Sequence, residues 1–396
     1  MFSHYAWLWS PDGTDQIDDL SDFMTLDCVL AEMNIGTLTL TLPPTHDYSR
    51  FRRDARIAYY RSPPRSLGNG FPRLVGGTTW PLIGRKRRLE QTGDGGWRET
   101  VTIKAVHPNH FLARRVVAYD ETTSQADKTA AADDSIKAYV NENFVSATDG
   151  ARNWASSLFT VDANLSAAPS IAKTASYRTV LNVCQELAAA ATASGTYTGF
   201  EVVGARTGVF RLRTYTGQRG ADRSSTSGQA LVISVTMGAF GDVELEEDWT
   251  NLANAIFAGG GGRGDERLTT FVSDTASIAE SPYGWSEWFQ QAGGTTDATV
   301  LNDAAMRALR EHRARILFTG SVKDTERATF GEEYDWGDRV VGEYARPDPL
   351  GSGFVDTQQF DCRVDPVHIH VERSEDPETG EQTETETLDI RLRSES

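Results

Sequence analysis

At 396 residues the chain is two to three times the usual domain length, which predicts two or three folding units, not a single core. Its 39% hydrophobic and 24% charged residues are ordinary for a globular protein and exclude a disordered chain. No apolar run approaches the roughly 20 residues of a membrane helix, so membrane insertion is not expected. The first thirteen residues lack the basic leader and apolar stretch of a secretory signal. The net charge of −17 argues against a general nucleic-acid binder, yet residues 50–115 hold fifteen Arg or Lys against four Asp or Glu. A cationic segment in an acidic chain fits either an acidic neighbouring subunit or an anionic ligand, and the first is favoured.

The first third reads as antiparallel strands. Leu26, Cys28 and Leu30 alternate with polar residues, and Thr37–Leu42 places three leucines on one face and three threonines on the other. Ile35 and Gly36 form a turn between the two runs. Further strands are predicted over residues 56–60, at Val101, Ile103 and Ala105, and over residues 112–119. Loops rich in Gly and Pro at residues 62–70 and 93–96 separate them, as in a barrel or sandwich.

Residues 121–132 are polar and alanine-rich and read as a linker. Asp133 or Asp134 is then expected to cap a helix whose Ile136, Tyr139, Val140 and Phe144 recur at helical spacing. A second helix is predicted over residues 176–193, stopped by Gly195, with Val180, Val183, Cys184, Leu187 and Ala191 on its buried stripe. Two short strands follow at residues 200–203 and 209–213, and Leu231, Ile233, Val235 and Met237 alternate as another. Residues 250–257 lead into the glycine run 259–262.

The clearest helical pattern covers residues 297–316, capped by Thr296 or Asp297, with Val300, Leu301, Ala304, Ala305, Ala308, Leu309 and His312 on one stripe. Strands resume with Val367, Ile369 and Val371, and with Leu388, Ile390 and Leu392. Residues 375–380 form the turn between them, so the tail is a long hairpin. The predicted fold class is α+β, mostly β: strand-rich ends at 1–118 and 311–396 flank an α+β region at 119–310, of which 225–258 joins the second end.

Chemistry-bearing motifs are sparse. Gly259, Gly261 and Gly264 satisfy a dinucleotide-binding spacing, but strand-like residues 268–272 follow where a helix N-terminus is required. His107 with His110, and His368 with His370, are the candidate metal pairs. The first sits at a Pro-Asn turn, and the second shares one strand face and needs a third ligand. Cys28, Cys184 and Cys362 are too widely spaced for a zinc cluster and are expected as buried free thiols. No activated nucleophile is recognisable, and the acids at 244–248 and 378–386 form runs expected of solvated faces. Catalytic, cofactor and metal residues are therefore assigned to none. The two rival readings are a glycan or peptidoglycan hydrolase and a receptor- or carbohydrate-binding protein using Trp285 and Trp288. The basic run at residues 85–88 reads as a strand end and not as a nucleic-acid arm.

The order of features resembles the hub proteins of phage tails, the siphophage tail-tip hub and its relatives in contractile baseplates. It is carried by the strand pair at 26–42, the segments at 56–61 and 111–117, and the helix at 133–140 with residues 149–152. Residues 199–202, Thr250 to Leu252, Asn254 to Ile256 with the glycine loop and Arg267, Tyr283-Gly284, the Asp297 helix and residues 330–340 follow in order. The resemblance implies a homotrimer in which each chain supplies two tube-type β-barrel domains. Such a ring matches a sixfold tube above to a threefold tip below, located in the virion at the tail tip or baseplate. The partners it implies are a distal tail protein or tail tube, a tape-measure protein, and tail fibre or tip proteins. DNA passes the lumen without being read. No cofactor and no catalytic residue are implied.

Overall fold

The computed structural model describes residues 3–62, 72–91, 96–118, 126–204, 208–262, 264–293, 295–313, 315–325, 327–351, 353–375 and 382–394. The expected loops at 62–70 and 93–96, the start of the linker at 121–125 and the turn at 375–380 therefore lie almost wholly outside the described residues. The first unit comprises β1 (His4–Trp9), β2 (Gln16–Asp19), β3 (Thr25–Leu30), β4 (Thr37–Leu42), β5 (Arg56–Arg61), β6 (Arg73–Leu74), β7 (Trp80–Gln91) and β8 (Trp97–Val106). The predicted alternation holds. Leu38, Leu40 and Leu42 of β4 are buried while its threonines face outward, each leucine contributing about 2 kcal/mol of apolar burial.

The strand expected at 112–119 is instead a short helix, α1 (His110–Ala113), followed by a single bridge between Val116 and Thr179. The turn at Pro108 and Asn109 closes into helical hydrogen bonds, with the Leu112 N–H donating to the Asn109 carbonyl. The middle region runs β9 (Ala126–Ala131), α2 (Ala132–Phe144), β10 (Phe159–Val161), β11 (Ser170–Ala175), α3 (Val180–Ala193), β12 (Thr198–Val203) and β13 (Phe210–Thr216). Part of the expected linker is thus a strand, β9, paired antiparallel with β11. It runs straight into α2, so neither Asp133 nor Asp134 is the cap; both lie in the first turn, and the Ala132 N–H donates to the Pro169 carbonyl. Helix α3 starts later than predicted because residues 177–179 pair with residues 116 and 117, and Thr179 caps at 3.3 Å from the Asn182 N–H.

The remainder comprises β14 (Val232–Ser234), β15 (Phe240–Asp248), β16 (Ala255–Gly259), β17 (Thr269–Ser273), α4 (Thr275–Glu280), β18 (Glu287–Gln291), α5 (Ala298–Glu311), β19 (Arg315–Val322), β20 (Arg339–Pro347), β21 (Phe354–Glu375) and β22 (Gln382–Ser394). The strand predicted through Met237 ends at Ser234 in a 3-10 turn. Helix α5 is capped by Asp297 as expected, but stops at Glu311, because residues 315–322 pair with β15 and β22.

The largest sheet runs β15-β19-β22-β21-β3-β4-β8-β7-β5-β1-β2, with β20 on β21, β14 on β20, and β6 on β5. Strand β21 joins the two ends of the chain: its first half pairs with β20 and its second half with β3, with Ile369 opposite Cys28. One buried core accordingly mixes Leu26, Cys28 and Leu40 with Phe318, Trp336, Ile369 and Leu392. A second core lies between α2, α3 and the β10-β13-β12 sheet, around Tyr139, Phe144, Leu187 and Phe200. A third, smaller one packs α5 through Leu301, Ala305 and Ala308 on Ile256 and Ala258 of the β17-β16-β18 sheet.

Candidate functional site

A dense polar constellation lies where the first sheet, the middle region and the segment before β20 meet. The turn at residues 335–338 places Trp336 there: the Asp338 carboxylate accepts from the Asp335 N–H at 2.9 Å and from the Ala221 N–H at 2.6 Å. Gly337 is required in this turn, because its φ is +82° and a Cβ would lie 2.7 Å from the Arg219 side chain. The Arg219 guanidinium stacks 3.9 Å over Trp336 and donates to Glu201 at 2.9 Å, to the Trp336 carbonyl and to the Gly76 carbonyl. Arg213 donates to the other Glu201 oxygen at 2.7 Å. Burial would raise the Glu201 pKa, but Arg219 and Arg213 outweigh it and hold the carboxylate below its usual range.

Glu32, just after β3, accepts a hydrogen bond from the Tyr197 hydroxyl, and Arg363 of β21 stacks 3.3 Å over the Tyr197 ring. Asp365 accepts from the Glu32 N–H at 2.9 Å and from the Trp336 indole at 3.1 Å. Burial, opposed by the Tyr197 hydrogen bond, pushes the Glu32 carboxyl up to about 7. His107 is edge-on to both Trp80 and Trp336, and burial pulls its pKa down to about 4. A carboxyl near neutrality is what a general acid requires. Here its hydrogen-bonding partner is the protein's own Tyr197, and the cavity beside the junction, lined by Leu30, Arg61, Gly76 and Phe330, measures about 30 Å³, room for about one water. The constellation is built to lock segments together.

A second lock ties the N-terminal strands to the C-terminal one. Arg61 of β5 donates to Glu386 of β22 at 2.5 Å and to the Phe330 carbonyl at 2.7 Å. Arg373 of β21 donates to Glu384 and to the His4 carbonyl, and Glu384 accepts from the Ser3 N–H, all at 2.7 Å. Burial would raise the Glu386 carboxyl, but the His4 ring and the Arg61 guanidinium hold it down at about 2.

The sequence-predicted motifs separate into distinct places. His107 is buried at the junction, whereas His110 opens α1. His368 and His370 share one face of β21 and both approach Asp27 of β3, at 3.4 and 2.7 Å. Both nitrogens of the His370 ring are engaged, the second by Glu372 at 3.1 Å, and the Asp27 hydrogen bond is the main cause of its raised pKa. Among the described residues no group of three potential ligands is arranged to hold a metal ion. The glycine run joins β16 to β17 as an antiparallel hairpin. All three cysteines are buried and free, and burial raises the Cys28 and Cys184 thiols.

Several cations of the basic segment are internal staples, which composition alone does not reveal. Arg56 donates to the Pro11 and Gly208 carbonyls beneath the Phe210 ring, and Arg73 to the Gly331 carbonyl. The run 85–88 lies on the exposed half of β7, with Arg85 and Arg87 over Tyr48. Trp288 packs on His312, while Trp285 stacks on Phe271. Phe271, Phe257 and Phe289 occupy one register row across the third sheet, each 40–51% exposed. No helix of the described residues is long and apolar enough to cross a membrane.

Residues 5–379 match the family described as Siphovirus ReqiPepy6 Gp37-like protein. The chain belongs to this family. Its fold is that of the 43 kDa tail protein of prophage MuSo2 from Shewanella oneidensis, at 8% identity and a TM-score of 0.54, over 99% of this chain and 98% of that one. It also matches the prophage tail protein gp18 from Listeria monocytogenes EGD-e, at 12% identity and a TM-score of 0.51, over 99% of this chain and 94% of that one. No curated protein matches it. A siphovirus Gp37-like protein therefore shares its whole-chain fold with phage tail proteins.

Proposed function

We propose that this Gp37-like protein is a structural subunit of the virion tail: a hub at the tail tip or baseplate, not an enzyme. The observation that carries the reading is the β3-β21 pairing, which joins the two strand-rich ends in one sheet over a shared core. Its polar clusters are spent on locking segments to one another, and its fold is shared end to end with prophage tail proteins. Three chains, each offering a strand-rich unit at 1–118 and another at 311–396 with 225–258, form a ring of six similar units that adapts a sixfold tube to a threefold tip. Distal tail or tube protein, tape-measure protein and fibre or tip proteins are its neighbours, and DNA passes through the lumen.

The exposed Phe257, Phe271, Phe289 and Trp285 cluster favours one second reading, a receptor- or carbohydrate-binding tail protein. Native mass measurement of the purified full chain separates the two. A trimer is expected. A stable monomer that never joins a ring and that binds host cells by itself overturns the hub reading in favour of the second.

A further inference from the structure

Two open strand edges in this chain carry complementary charge at the same spacing. Among the described residues, β7 beyond Arg85 pairs only with β8, and β8 before Val101 pairs only with β7, so residues 85–91 and 97–100 form a two-stranded arm. Such a ribbon is marginal by itself in water. Its outward face bears Lys86 and Arg88 two residues apart, with Arg88 ion-paired to Glu90 on the same face, and Leu89 and Trp97 are 60% and 68% exposed on the other face. At the end of the large sheet, β15 pairs only with β19 among the described residues, leaving its second edge open. There Glu244 and Glu246, also two residues apart, point outward while Val243 and Leu245 are half-buried.

We propose that the β7 edge of one copy adds to the β15 edge of the next, with Lys86 and Arg88 facing Glu244 and Glu246. Cross-strand pairs of opposite charge stabilise such an addition, and main-chain hydrogen bonds supply its register. Acidic residues on an edge also deter indiscriminate pairing, so the contact selects a basic strand over an apolar one. The arm and the acidic edge are different surfaces, which makes the contact heterologous, the type that closes into a ring when the rotation allows. The inference rests on the ring reading and names the surfaces that would build it.

The test compares the full chain with Lys86→Glu/Arg88→Glu, with Glu244→Lys/Glu246→Lys, and with all four changes together, by sedimentation and native mass at 50 and 500 mM salt. All four positions are exposed, and circular dichroism checks that each variant keeps its strand content. Each reversal alone is expected to weaken self-association more than tenfold, and the fourfold variant to restore it. Added salt should weaken the unaltered protein. A trimer unaffected by either reversal overturns this docking while leaving the ring reading intact. So does intact assembly combined with loss of binding to a double-stranded DNA probe on Lys86→Glu/Arg88→Glu, which reassigns the arm to a phosphate backbone. An unaltered chain that is monomeric at every concentration overturns both.

Discussion

Glu32 and His107 are 9% and 1% exposed on one junction, and burial shifts each toward its neutral form. The consequences for stability have opposite signs. Glu32, raised to about 7, binds its proton more tightly folded than unfolded, so it costs stability as pH rises from about 4.5 through 7. His107, lowered to about 4, binds its proton less tightly when folded, so it costs stability as pH falls from about 6.5 toward 4. Glu32→Gln keeps an acceptor for the Tyr197 hydroxyl and removes the first cost. The variant is expected to be more stable than the parent above pH 7, on the order of 2–3 kcal/mol, with the difference gone by pH 4.5. Urea unfolding at a series of pH values measures this, and an equal offset at all pH values contradicts the assigned shift.

At the scale of elements, the start of α2 shows how one local signal serves another purpose. Asp133 and Asp134 look like caps, but their carboxylates hold the returning loop. Asp134 accepts from the Leu165 and Ser166 N–H groups at 3.0 and 3.2 Å and from the Ser166 hydroxyl at 2.6 Å, and Asp133 from the Ala168 N–H at 3.1 Å. Lys137 reaches the Ala163 carbonyl at 2.8 Å. Ser166, with φ of +51°, is held in the left-handed region by these bonds. Asp134→Ala is expected to cost about 1–3 kcal/mol and to speed amide exchange at residues 165–168 while leaving the α3 interior protected. Unchanged exchange there shows that the loop is held by packing instead.

Across the whole molecule, the first strands depend on the last. Arg61 and Glu386 are 325 residues apart and form a largely buried pair that holds β5 against β22. Because the Glu386 pKa is depressed to about 2, its contribution is full above about pH 4.5 and lost as pH falls toward 2. Glu386→Gln takes away the nearer of the two acids at Arg61 and leaves Asp324 at 3.9 Å, and a loss of about 3 kcal/mol at pH 7 is expected. Thermal melts of variant and parent should converge near pH 2, the reverse of the Glu32 pattern. A loss that persists undiminished at pH 2 indicates packing damage and not the ion pair.

The sequence by itself determined the strand faces of Thr25–Leu30 and Thr37–Leu42, the buried stripe of α3 with its Gly195 stop, the Asp297 cap of α5 with Leu301, Ala305 and Ala308 on its buried face, and the C-terminal hairpin, because alternation and capping are local properties of a few neighbouring residues. It also carried enough order of features to point to the phage tail family. Only the tertiary structure decided that residues 315 and 316 leave the helical pattern for a strand, that β21 serves both ends of the sheet, and that Glu32, Glu201, Arg219, Arg363 and Trp336 meet. The helix ends where strand partners far along the chain, Asp248 and Glu247 opposite residues 315 and 316, compete for its backbone. The junction residues come from five separate segments, and no periodicity within any one of them registers a neighbour that folding brings from more than a hundred residues away.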